Sequence, residues 1–311
     1  MGVSQRDSTD SDSSPSTAAH KRKARRLEGA GFVVPQLALL LIFTFWPLTQ
    51  VIALSFTRYD GFSDPEFFGL GNYQFLSEWA DFQRIIFNNI VLLSGVILWV
   101  VVPFMLAILI FPMRGATVIR ALLFVPAMLP PITVGVVFRI VLANDGPLNQ
   151  VLSAVSFGLI SPNWLTDSNI VLFSIILVIC WATMGSGILF YSAGIAAISP
   201  SYIEAALLDG ANKWQLVWHI YRPALSPITQ FWVLLLSVTT ITGFFPWIFA
   251  LTRGGPGVAS TTLDYAVYTT LLGGTQLGRG AAIAVISLLL MAVVVMIQVF
   301  MRRIRRADDW A

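Results

Sequence analysis

A chain of 311 residues that is 56% hydrophobic and only 11% charged, with a mean hydropathy of +0.77, is not an ordinary soluble domain, where charged residues make up about 25%. The formal charge of +3 comes from basic residues that cluster beside apolar runs and form no basic stripe, so nucleic acid is excluded as a partner. The single cysteine, Cys180, lies inside an apolar run, which rules out an intrachain disulfide and suggests no thiol metal site.

Residues 1–20 are polar and rich in Ser, Thr and Asp, a composition that predicts disorder. With the cluster Lys21, Arg22, Lys23, Arg25 and Arg26 they make a basic tail over 1–28. The charge-free run from Gly29 to Thr57 is too long for the core of a signal peptide and lacks a convincing small-residue cleavage site, so it reads as a retained anchor. A bilayer core of ~30 Å takes ~20 apolar helical residues. Five more charge-free intervals meet that length: 85–113, 121–138 with an extension to Ala143, 169–195, 223–252 and 280–301. The predicted fold class is therefore all-α, a polytopic membrane protein with six transmembrane helices in a domain at 29–306, followed by a short tail at 307–311. Pro35, Pro47, Pro103, Pro126, Pro130, Pro131 and Pro246 fall in these stretches. Membrane helices tolerate them where neighbours satisfy the freed carbonyls.

Basic residues set the orientation. With the N-terminus in the cytoplasm, the cytoplasmic segments hold 14 of the 19 Lys and Arg, the positive-inside pattern. Both termini are then cytoplasmic, as an even number of spans requires. The outer loops become 58–84, 144–167 and 253–278.

The loop at 197–223 is the most informative segment, and it predicts two short helices. Ser201 with Glu204 fits a capping box, Asp209-Gly210 punctuates, and Asn212 with Gln215 opens the second helix. Trp214, Val217, Trp218 and Tyr221 then fall at i, i+3, i+4 and i+7 and line one face. Such an amphipathic helix suits either the lipid headgroups or the groove of a cytoplasmic partner. Pattern alone leaves both open.

Glu204-Ala205-Ala206, Gly210, Ile220 and Pro223 resemble the "EAA" loop of binding-protein-dependent ABC importer permeases, with Arg222 standing where that family usually has Leu. The stretch from Leu251 through Arg253-Gly254-Gly255-Pro256 to Thr261, Thr262, Leu263 and Tyr268 resembles the carbohydrate-uptake branch. So do Gly278, Gly280, Ala281 and Ala282, and Gly69-Leu70-Gly71-Asn72-Tyr73. The closest likeness is to the maltose-type and glycerol-phosphate-type first permease subunit. The resemblance implies a bacterial inner-membrane permease that pairs with a second related permease. It also implies two ATP-binding subunits, an extracytoplasmic solute-binding protein and a sugar substrate. In that family the loop is the coupling helix that sits in a cleft of the ATPase, which assigns Glu204, Ala205, Ala206, Asp209, Gly210 and Trp214 to coupling. ATP and magnesium would belong to the partner subunits, and this chain would bind no cofactor; it carries no phosphate-loop motif.

For the substrate the resemblance points to the fourth and fifth spans. Trp181 stands 23 residues before Glu204, the spacing of a sugar-contacting tryptophan in the maltose-type subunit, with Thr183 and Ser186 nearby. Thr242, Phe244, Phe245 and Trp247 precede the Gly-Gly-Pro turn, where the maltose-type subunit has asparagines and this chain has none. Aromatic platforms with a few hydroxyls suit sugars, and the same residues also suit helix packing. A non-sugar solute such as glycerol phosphate or a peptide is the alternative. An ion-driven carrier or membrane enzyme would need mid-membrane carboxylates or histidines, which are essentially missing. His219 reads as a polar side chain on a short helix.

Overall fold

The computed structural model describes residues 33–273 and 276–308; the expected tail at 1–28 lies outside them. The chain divides into two units, one ending at Ala53 and one beginning at Leu54. In the first unit the helix beginning at Val33 exposes apolar side chains all round, Phe43 at 72% and Trp46 at 64% among them.

Among the described residues four helices are long and apolar enough to cross a membrane: Val33–Ser55, Ala80–Ile110, Val171–Ala196 and Leu277–Arg303. Two bent pairs bring the spans to six when each pair counts as one. The third span is Ala116–Met128 plus Pro131–Val141, turned by 94°, so the continuous helix expected at 121–143 is broken. Pro130 and Pro131 account for the break. A residue before proline is pushed out of the helical region, and Leu129 and Pro130 are extended at ψ 138° and 139°. The fifth span also differs from the expected 223–252. Its helix, Ser226–Thr242, lies at 69° to Lys213–Ala224, stops at Gly243, and is followed by the separate helix Phe245–Leu251.

Close crossings hold the second unit together. Val171–Ala196 runs against Ala80–Ile110 through Leu92, Trp99, Ile175 and Ile179, all buried. A Cβ at Gly185 would lie 2.6 Å from Phe124 Cα and 2.8 Å from Leu123 C, so helix meets backbone directly there. Gln298 of the sixth span donates to Ser237 of the fifth at 2.8 Å. A second cluster joins Leu76, Phe82 and Ile85 to Leu263 and Ile283, far apart in sequence. Asn72 anchors the Gly-Leu-Gly-Asn-Tyr segment: its Nδ2 donates to Ser55 O at 2.9 Å and Thr57 O at 2.8 Å. The short antiparallel pair Thr57–Arg58 with Glu66–Phe67 begins at that point.

Candidate functional site

The loop at 197–223 folds as two helices, Pro200–Leu208 and Lys213–Ala224, joined by a tight turn. The first ends in a Schellman arrangement, in which Ala211 N–H donates to Ala206 O at 2.9 Å and Gly210 N–H to Leu207 O at 3.1 Å. Gly210 sits at φ 81°, a conformation that a Cβ disfavours. Asn212 and Gln215 form the expected capping box, each side chain meeting the other's backbone N–H at 2.9 and 2.7 Å.

Two local expectations are corrected. Ser201 and Glu204 make no capping box: Pro200 takes the first helical position, so Ser199 becomes the N-cap and its hydroxyl meets Ser201 Oγ at 2.8 Å. The four-residue apolar face also divides. The backbone widens to a π-turn over Val217–Tyr221; Val217 is buried, while Trp214 and Trp218 are 63% and 49% exposed. Tyr202, Leu207 and Leu208 are exposed as well, Leu208 at 89%. The departure at Arg222 has a local role, since its guanidinium lies over the Trp218 ring at 4.8 Å. Glu204 and Asp209 are exposed, and a cavity of about 290 Å³ between the helices is lined by Ala206, Asp209, Gly210, Gln215 and His219 among others. His219 Nδ1 meets Gln215 O at 3.0 Å within its own helix.

The substrate candidates sit in unlike surroundings. Trp181 is 38% exposed and packs on Phe138 with ring centroids 5.0 Å apart. Thr183 donates back to Ile179 O at 2.8 Å, and Ser186 is half-buried. Thr242 is exposed and donates to Val238 O at 3.0 Å. Phe244 and Trp247 are buried in the chain's own core, Phe244 against Trp99. Phe245 is half-buried in a ring cluster with Phe249 and Tyr268, the latter centroid at 4.6 Å. The Gly-Gly-Pro stretch is an internal scaffold: Arg253, Gly254 and Gly257 take positive φ, and Ser260 donates to Gly255 O at 2.7 Å.

A family model for the "Binding-protein-dependent transport system inner membrane component" matches residues 100–306, a stretch that contains the loop and both groups of candidates. The chain belongs to this family. Among relatives of this permease, the multiple sugar-binding transport system permease protein of Streptococcus mutans is 30% identical over 277 residues, covering 87% of this chain and 93% of its own. The sn-glycerol-3-phosphate transport system permease protein of Yersinia enterocolitica is 30% identical over 276 residues, covering 86% and 90%. A bacterial alginate ABC transporter, solved in complex with alginate pentasaccharide-bound periplasmic protein, contains a chain that matches with a TM-score of 0.78 at 22% identity over 91% of this chain. The all-α importer-permease fold is thereby established.

Several residues that hold the permease's loop segments were not picked out by sequence reasoning. Asn88 Nδ2 donates to Val258 O at 2.8 Å and Thr261 O at 2.9 Å, pinning the Gly-Gly-Pro segment. Asn149 Nδ2 donates to Asn144 O and Pro162 O, and its Oδ1 accepts from Trp164 Nε1 at 2.9 Å. An asparagine in an otherwise apolar run was the available signal. Asp264 accepts from Phe245 N–H, Tyr265 N–H and the Thr262 hydroxyl. Loss of solvent around its carboxyl raises the pKa, and those donors oppose the rise.

Proposed function

We propose that this chain is a permease subunit of an ATP-driven importer that forms, with a second related permease, a pathway for a sugar, an oligosaccharide or related carbohydrate. Two ATP-hydrolysing subunits dock on the cytoplasmic side, one of them gripping the 197–223 loop, and an extracytoplasmic binding protein delivers solute to the outer loops. The reading draws support from relatives named for multiple sugars and for arabinooligosaccharides, and from the alginate transporter that shares the fold.

The observation that carries the coupling role is the loop itself. Its turn is locked by Gly210 and by the Asn212–Gln215 box, while Tyr202, Leu208, Trp214 and Trp218 stay exposed. A rigid helical pair with an uncovered apolar face suits insertion into a protein groove. ATP binding on the partners then displaces the loop, and the pathway switches between inward- and outward-facing states. Such switching requires each ligand to favour one state. Both termini lie in the cytoplasm on the distribution of Lys and Arg; a reporter fused to the C-terminus that is active only outside the cytoplasm would contradict this.

Within the pathway, the exposed residues Trp181 and Thr242 and the half-buried Thr183, Ser186 and Phe245 are proposed to face solute. Gly210→Asp tests the coupling role: it abolishes ATP-driven uptake while the protein remains in the membrane. Unchanged transport would remove the loop from the mechanism. A second reading, glycerol phosphate as solute, is favoured by the Yersinia relative. Binding of a panel of sugars and phosphate esters to the cognate binding protein separates the two.

A further inference from the structure

Pro103 lies inside the second span, Ala80–Ile110. Having no N–H, it leaves the carbonyl four residues back, that of Trp99, without its helical donor. A bare carbonyl is unfavourable inside a bilayer, so a neighbour must satisfy it. The donor comes from the fifth span: Trp232 Nε1 lies 3.2 Å from Trp99 O, and both side chains are buried. Trp99 then passes the connection on. Its own Nε1 donates to Ile176 O of the fourth span at 2.9 Å, and its ring lies against Phe244 just past the end of the fifth. The three spans have almost no slack at this level. A Cβ at Gly187 of the fourth span would come within 2.6 Å of Pro103 Cβ and 3.3 Å of Trp232 Nε1.

We propose that the Trp232–Trp99 hydrogen bond at Pro103 is the strut that makes the second, fourth and fifth spans move as one body when the cytoplasmic loop is displaced. The inference rests on the reading of 197–223 as the site where an ATPase grips. The Ser226–Thr242 helix begins directly after that loop, so a push on the loop enters the fifth span first. Without a fixed link the helix would slide past its neighbours. With the indole anchored to a backbone carbonyl, displacement reaches the fourth span, which carries Trp181, Thr183 and Ser186. Trp232 is in this sense a positioning residue, and it touches no solute.

The test uses the complete transporter in proteoliposomes, with ATP hydrolysis, solute uptake and thermal midpoint measured on each variant. Trp232→Phe removes the donor and keeps most of the ring. Pro103→Ala returns an N–H to the second span, so the Trp99 carbonyl is satisfied within its own helix whether or not Trp232 is present. Trp232→Phe is expected to lower the midpoint and to reduce solute moved per ATP by at least about threefold. Combining it with Pro103→Ala restores the midpoint and leaves the ratio low, while Pro103→Ala alone keeps the ratio. A wild-type ratio in Trp232→Phe overturns the strut. So does recovery of both quantities in the double variant, which would make the bond merely structural, or an equal loss of the ratio in Pro103→Ala alone. Wild-type uptake that needs no ATP would instead overturn the importer reading.

Discussion

Gly185 and Gly194 lie three turns or less apart on the fourth span, and the structure gives the same substitution opposite consequences at the two. An alanine at Gly185 meets backbone: Leu123 O would stand nearest and Phe124 Cα at 2.6 Å, where ordinary contact begins at 3.4 Å, so the two segments must part by at least about 0.8 Å. Neither backbone can turn aside, and overpacking of this kind costs about 1–3 kcal/mol. Replacing glycine by alanine inside a helix returns about 0.5–1 kcal/mol. The net expectation is a destabilisation of about 1–2 kcal/mol, or a midpoint lower by about 2–8 °C, at roughly 2–4 °C per kcal/mol for a large domain. At Gly194 the new Cβ meets only the tips of Ile228 and Leu225, flexible side chains that can rotate away. There the helical gain offsets the crowding, and the midpoint should move by less than about 2 °C. Thermal unfolding of the purified protein followed by tryptophan fluorescence reads both. The reasoning fails if Gly185→Ala melts at or above the wild type, or if the two variants cannot be told apart.

Further outcomes are expected at the loop and the outer segments. Asn212→Ala removes the bond from Gln215 N–H to the Asn212 side chain and leaves the one from the residue-212 N–H to Gln215; it costs the second loop helix about 1 kcal/mol, and lowers uptake per ATP in reconstituted transporter without reducing membrane insertion. Asp60 has a pKa of about 2, depressed by the N–H groups of Ser63 and Phe62 and then by the Ser63 hydroxyl. Its contribution to the 60–63 turn is therefore full above the ordinary carboxylate range and lost as pH falls through about 2. Carboxyl NMR should show the Asp60 titration rising in Ser63→Ala, though only part of the way, because both backbone donors remain. Asp264 has the opposite sign: its pKa is raised by burial, so its contribution is present in acid and lost as pH rises through the raised value. Wild-type midpoints should consequently fall relative to Asp264→Asn as pH rises above the ordinary carboxylate range, and parallel curves would show that the carboxyl does not titrate with folding.

Much of the loop's local structure was legible because it depends on neighbours in sequence. Gly210 follows Asp209 at the one point where a positive φ is needed, and Asn212 with Gln215 satisfies backbone donors three residues apart. Ser201 and Glu204 have the same spacing and made no box, because Pro200 claims the first helical position one residue earlier. The π-turn over Val217–Tyr221 was not readable, since it shifts the face that each side chain presents without any mark in the apolar pattern. Among the substrate candidates, residue type was equally blind: Trp181 and Trp247 look alike in sequence, yet one is exposed and the other lies in the core.

By itself the sequence determined the bilayer as solvent, the approximate number and order of the spans, and the place of the 197–223 loop between two of them. Apolar run length and charge placement are sufficient for these, because a backbone crosses hydrocarbon only with its polar groups paired, and a run of ~20 apolar residues does so as a helix. Only the tertiary structure decided which side chains face inward, where the third and fifth spans break, and what satisfies the carbonyl freed by Pro103. Those outcomes depend on contacts between residues 77 and 133 positions apart, Trp99 with Ile176 and Trp99 with Trp232. No periodicity within one helix encodes the shape of its neighbour.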